Sequence, residues 1–272
     1  MALGDTEGHG RARSARVLAQ KVDKRSLWAL VPLLQDSFFL ARREAALALK
    51  KLDWQPKSDK GRIAFLIALE EWSEVIDLGA KAVPYLVKLL CEKHEPTAKA
   101  IVSTLQKIGE PAIRPLCRIA TGSDEKASKR ALKLLVELHD ERAIPAFLVN
   151  LESARVSLRL VALRGLNKVV SAKCKEPLIG LLENEREASV LRSLYSVLAH
   201  HNFMFEDTLK GLLKSKKGSG FLAERCFRVF EAMGEKGRSH LEELSNGNFE
   251  ERAKAALETL DRVASGSAIL ID

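Results

Sequence analysis

The chain has 272 residues, of which 46% are hydrophobic but only 6% aromatic and 29% charged, with 16 Gly and 8 Pro. Such a mixture suits amphipathic helices around a core of Leu, Ala, Val and Ile, and argues against both a disordered chain and an all-β sandwich. The formal net charge is +8, and the longest uninterrupted apolar run, Ile63 to Leu69, falls far short of the roughly 18 residues that a membrane span needs.

Residues 1 to 10 contain no apolar stretch of the kind a secretory signal carries and read as a disordered N-terminus. Much of the basic excess lies early, since residues 1 to 62 hold 13 Lys and Arg against 7 acids. From residue 11 to residue 262 the chain reads as one repeat array, and the prolines expose it. Pro84, Pro115, Pro145 and Pro177 follow one another at intervals of 31, 30 and 32 residues, and Pro32 precedes Pro84 by 52. Sixteen residues after each proline stand Ala48, Ala100, Ala131, Val161 and Ser193, and the next column is Leu49, Ile101, Leu132, Ala162 and Leu194. A further column four residues on holds Leu105, Val136, Leu166 and Leu198, so these positions line one face of a helix.

The unit is therefore helix, turn, helix. Each proline is expected in the first turn of the first helix, where its missing amide hydrogen is least needed. The second helix is expected to open on a polar turn, with Ser123 or Asp124 capping one and Asn184 another. Residues 54 to 79 form an insertion that reads as one more helical pair ending at Gly79, with Trp54 and Trp72 packed inside it. Residues 204 to 233 and 234 to 262 are divergent units, the last with His240 in the proline column, and residues 263 to 272 are a C-terminal tail. Because no single pair buries its own apolar face, the units must stack, giving an all-α, right-handed α-solenoid of about seven helical pairs. Cys91, Cys117, Cys174 and Cys226 lie far apart with no CxxC pair, which suits reduced thiols in a cytoplasmic protein.

The stretches VPLLQDSFFLARREAALALKKL, IGEPAIRPLCRIATGSDEKASKRALKLLVEL and ERAIPAFLVNLESARVSLRLVALRGL resemble HEAT repeats, and more narrowly the short HEAT-like repeats named after phycobilisome lyases. The resemblance covers residues 28 to 200 well and 204 to 262 loosely. It implies an armadillo-type superhelix whose second helices line a concave binding face. It also implies recurring contacts between an acid at the turn and a base in the second helix, which Asp36 with Arg42, Asp124 with Arg130 and Glu185 with Arg192 match as a ladder between neighbouring units.

The same second helices carry Lys126, Lys129, Arg130 and Lys133, then Arg155 and Arg159, then Arg192, then Arg225 and Arg228. Facing a concavity, these nine make a basic stripe suited to an acidic surface. The function expected is a non-enzymatic scaffold or adaptor: a monomer that binds an acidic protein partner, with no membrane, no cofactor and no metal. Tyr195 and Phe227 are the only aromatics near the stripe, so a nucleic-acid partner is the lesser alternative. An E/F-type bilin lyase, or a chaperone-like factor for tetrapyrrole proteins, is the enzymatic alternative that the resemblance raises, although no catalytic residue carries over. The chain has no GxSxG, P-loop or GxGxxG. HEAT-like deoxyhypusine hydroxylases hold iron through repeated His-Glu pairs, and here only His94-Glu95 has that form, with His139-Asp140 a weaker second.

Overall fold

A computed structural model describes residues 7–21, 24–214, 220–246 and 249–265, in which there are 17 α-helices and no strand. The chain forms two compact units, Met1–Leu138 and His139–Asp272.

The first unit contains α1 (Gly8–Lys21), α2 (Leu27–Leu30) with its 3-10 continuation Val31–Gln35, α3 (Phe39–Lys51), α4 (Asp59–Leu69), α5 (Trp72–Asp77), α6 (Val83–Lys88), α7 (Glu95–Ile108), α8 (Ile113–Ala120) and α9 (Glu125–Leu138). Helix α1 lies against α3, second helices α5, α7 and α9 pack in succession, and first helix α6 packs on α8. The second unit contains α10 (Ile144–Leu151), α11 (Val156–Lys168), α12 (Lys175–Asn184), α13 (Ala188–His200), α14 (Asn202–Lys214), α15 (Phe221–Ala232), α16 (Glu235–Leu244) and α17 (Glu250–Ala264). Here α11, α13, α15 and α17 pack in order, each against its own first helix as well. Each unit is thus a stack of helical pairs, an all-α solenoid arrangement.

The apolar columns explain the stacking. Leu49, Ile101, Leu132, Ala162 and Leu194 are all fully buried, as are Leu105, Leu166 and Leu198. Removing such aliphatic surface from water contributes roughly 1.5–3 kcal/mol per large side chain, and only a neighbouring pair can provide that burial. In the preceding column Ala48, Ala131 and Val161 are buried, whereas Ala100 and Ser193 are half-exposed.

Pro84 and Pro145 stand at the start of α6 and α10, and Pro115 and Pro177 are the third residues of α8 and α12. A 3-10 turn precedes each of these helices. Pro32 departs from the expected place: it lies in the 3-10 stretch Val31–Gln35 at the end of its first helix. The first pair is therefore about one helical turn out of register with the others. Its columns still fall on the buried face because a shift of four residues nearly completes a turn of 3.6.

Three further expectations need correction. Residues 8 to 10, within the expected disordered N-terminus, begin α1, while residues 1 to 6 lie outside the described residues. His240 is the sixth residue of α16 and not at its start, and it pairs with Glu206 at 3.1 Å. Asn184 does not cap α13; its side-chain amide donates to the Gly180 carbonyl at 2.9 Å, and the α13 N-cap, Glu187, makes no side-chain capping bond. Residues 266 to 272 of the tail, and the loop from 215 to 219, are outside the described residues.

The insertion forms the expected pair, α4 and α5. Trp54 meets Phe65 edge to face at 5.4 Å beside the first unit's core, and Gly79 holds φ +53°. This pair does not separate the first helical pair from the third at their turns. Arg42 of α3 reaches Glu92 directly, and the Phe39 ring stacks on His94 at 4.0 Å.

Candidate functional site

In five pairs the turn between the helices carries a side chain that accepts from backbone amides at or near the start of the second helix. Asp36 accepts from the Phe38 amide, Glu92 from Lys93 and His94, Asp124 from Ala127, Ser153 from Arg155, and Glu185 from Arg186 and Glu187. Asp124 accepts from within its helix, as an N-cap does, while the other four accept from the residues that lead into theirs, whose amides the helix gives no partner.

Arginines complete the arrangement. Arg11 grips Asp36 with two bonds of 2.6 and 2.7 Å, Arg42 pairs with Glu92, and Arg159 pairs with Glu185 at 2.8 Å. Arg42 also donates to the carbonyls of Asp36 and Ser37, and Arg159 to those of Ser153 and Ala154. One guanidinium therefore closes its own turn and ties it to the carboxylate of another. A ladder between helical pairs is present, but with different rungs from those in the sequence reading: Arg42 bonds the Asp36 backbone and not its carboxylate, Arg130 pairs with Glu95 at 3.2 Å, and Glu185 takes Arg159 in place of Arg192.

Burial raises the carboxyl pKa of Glu92 and Glu185, yet the backbone amides that donate to them and the arginines they bind outweigh it and hold both below the usual carboxylate range. Glu92 escaped the sequence reading. It stands eight residues after Pro84, as Glu185 stands eight after Pro177, so the proline column contained the signal.

The nine basic residues of the expected stripe do not share one role. Arg130 donates to the carbonyls of Leu90 and Glu92, Arg159 is held as described, and Arg225 is 2% exposed. Arg225 donates to the carbonyls of Leu182 and Glu185 and lies over the Phe221 ring at 3.8 Å, its Nε without a partner. These three serve the fold. Lys126 reaches the Glu92 carbonyl at 3.4 Å, and Arg228 is exposed but bound to Glu224 at 3.1 Å and Glu231 at 3.2 Å. Arg155 is exposed at the start of α11. Lys129 and Lys133 on α9, and Arg192 on α13, make no ion pair with any described residue.

In the first unit α7 and Arg130 of α9 border a shallow groove of about 190 Å³ that includes Lys99, Ser103 and Gln106. In the second unit a groove of about 590 Å³ runs beside α13, with Arg192, Tyr195 and His200 on one wall and Lys236 on the other. The sequence reading missed Lys236 and His200, since neither stands at a second-helix position in register with the stripe.

His94 and Glu95 are taken up by other contacts. His94 Nδ1 lies 2.8 Å from Thr97 Oγ1, whose hydroxyl donates to Glu70, and Glu95 binds Arg130. Among the described residues no three His, Cys, Asp or Glu side chains group as metal ligands do. None of the four cysteines is in a disulfide; Cys91 is exposed and donates to Asp124, and burial pushes the Cys226 thiol up to about 12.

No protein-family model and no curated protein sequence matches the chain. Among solved structures, human deoxyhypusine hydroxylase in complex with glycerol aligns at 18% identity over 74% of this chain and 82% of its own, with a TM-score of 0.39. Two engineered proteins align over 95% of this chain, and over 97% and 93% of theirs, at 16% and 18% identity with TM-scores of 0.34 and 0.20. Scores this low carry no argument. The helical-repeat architecture rests on the packing of the chain's own helices.

Proposed function

We propose that this protein is a non-enzymatic scaffold, built of HEAT-like repeats of the phycobilisome-lyase type, that binds an acidic protein partner through basic side chains on its second helices. The observation that carries this reading is the division among those side chains. Arg130, Arg159 and Arg225 satisfy carbonyls and carboxylates of the fold, whereas Lys129, Lys133 and Arg192 are left unpaired among the described residues. Unpaired cations on a packed scaffold steer an oppositely charged surface and hold it in register without rearrangement.

The protein acts in this reading as a cytoplasmic monomer; no helix among the described residues is long and apolar enough to cross a membrane. Crosslinking in native lysate tests the scaffold role. Wild type is expected to yield acidic proteins linked near Lys129, Lys133 or Arg192, and the variant K129E/K133E/R192E to lose them. Recovery of nucleic acid in place of protein, or of a coloured covalent adduct when a bilin and its acceptor are co-expressed, overturns the reading.

A further inference from the structure

The groove in the second unit has features that narrow the chemistry of what it holds. Arg192, Tyr195, Ser196 and His200 border it at spacings that place them on one face of α13. The opposite wall, where α15 gives way to α16, supplies Ala232, Met233, Glu235 and Lys236. Its volume of about 590 Å³ lies within the range of sites that take a compact ligand, and so has room for a few side chains.

The charges within it are unequal. Glu235 pairs with Arg238 at 3.0 Å, and Arg238 holds Asp261 at 2.7 Å as well, so its single charge is shared between two carboxylates. Arg192 and Lys236, by contrast, are exposed and pair with no described residue. Two unpaired cations therefore share the groove with the apolar Ala199, Ala232 and the buried Met233. Tyr195 is half-buried beside them, and burial raises its phenol pKa, which keeps it a hydrogen-bond donor.

This inference rests on the reading of the second helices as a face for an acidic partner. We propose that the groove seats one short segment of that partner, in which neighbouring carboxylates accept from Arg192 and Lys236 while an adjacent apolar side chain packs toward Met233. The apolar Ala199, Ala232 and Met233, and a Tyr195 ring that is half-buried, favour a peptide over a single-stranded nucleic acid, whose bases would need a stacking surface.

A fluorescein-labelled peptide, Glu-Leu-Glu-Glu-Leu-Glu, titrated by fluorescence anisotropy against the full chain tests the proposal. Binding is expected to weaken with added NaCl, and to fall about tenfold or more in R192E/K236E and measurably in R192Q/K236Q, since both residues are exposed and rim charges govern association. Unchanged thermal melts would show that the fold survives. K129E/K133E, altered only in the first unit, is expected to bind the peptide as wild type does. If K129E/K133E abolishes binding and R192E/K236E does not, the groove assignment falls while the acidic-partner reading stands. If wild type binds neither this peptide nor any acidic protein in the crosslinking experiment, both fall. Displacement of the peptide by a single-stranded oligonucleotide at lower concentration than by unlabelled peptide also overturns the groove assignment.

Discussion

At the scale of single residues, the decisive distinction is between arginines that complete the fold and those that face outward. Glu185 accepts two amides and the Arg159 guanidinium while 8% exposed. Its removal leaves the largely buried Arg159 guanidinium without its carboxylate, holding only the Ser153 and Ala154 carbonyls, and the Arg186 and Glu187 amides without their acceptor. Glu185→Ala is therefore expected to lower stability by about 2–4 kcal/mol in urea unfolding, whereas Arg192→Ala changes it by less than about 0.5 kcal/mol. Acid sensitivity follows from the same groups. Glu92 and Glu185 release their protons more readily folded than unfolded, so their stabilisation is complete above the unfolded carboxylate range near about 4.3 and is lost as pH falls through their lower folded values. His201 acts in a different window. Burial lowers its pKa and outweighs the Asn167 carbonyl 3.2 Å from its Nε2, a partner that favours the proton, so the folded state disfavours the proton that the unfolded chain takes up near about 6.5. Stability measured from pH 7.5 downward is expected to decline first below about 6.5, a step absent in His201→Gln, and again below about 4.3, a step reduced in E92Q/E185Q.

At the scale of elements, close helix contact depends on positions where only hydrogen fits. A Cβ on Gly165 of α11 would come within 2.4 Å of the Phe147 ring of α10, which is fully buried and has nowhere to move. On an exposed helix, Gly to Ala gains roughly 1 kcal/mol of propensity. Here overpacking outweighs it, and Gly165→Ala is expected to destabilise by about 1–3 kcal/mol in thermal or urea unfolding. Gly237 of α16 is tighter still, since its Cβ would meet the Phe230 carbonyl oxygen, a backbone atom, at 2.0 Å. Gly180 of α12 meets nothing within 4 Å, so Gly180→Ala is expected to stabilise by up to about 1 kcal/mol and serves as the control.

At the scale of the whole molecule, each helix packs chiefly on its neighbours in the stack, so damage should stay local. Leu194 of α13 is fully buried, between α11 and α15. Leu194→Ala is expected to cost about 2–5 kcal/mol, and hydrogen exchange is expected to quicken in α11, α13 and α15 more than in α17. Equal loss of protection across the second unit would mean that the stack unfolds as one piece. The columns behind this expectation were legible in the sequence because burial repeats with the helical period. The rungs of the ladder were less legible: Arg42 and Glu92 stand fifty positions apart, and the intervening α4 and α5 conceal that the first and third pairs meet at their turns.

The sequence by itself determined the helical pair, its small and branched core columns, the capping Asp124 and the insertion, because these depend on periodicity and on chemistry within a few residues. Tertiary structure alone decided which of nine similar cations are structural. Arg225 and Arg192 occupy neighbouring second helices and look alike in the sequence, yet one lies against the carbonyls of Leu182 and Glu185 and the other in an open groove. A guanidinium is consumed or left available according to what the adjacent helix places beside it, and that depends on how the pairs stack.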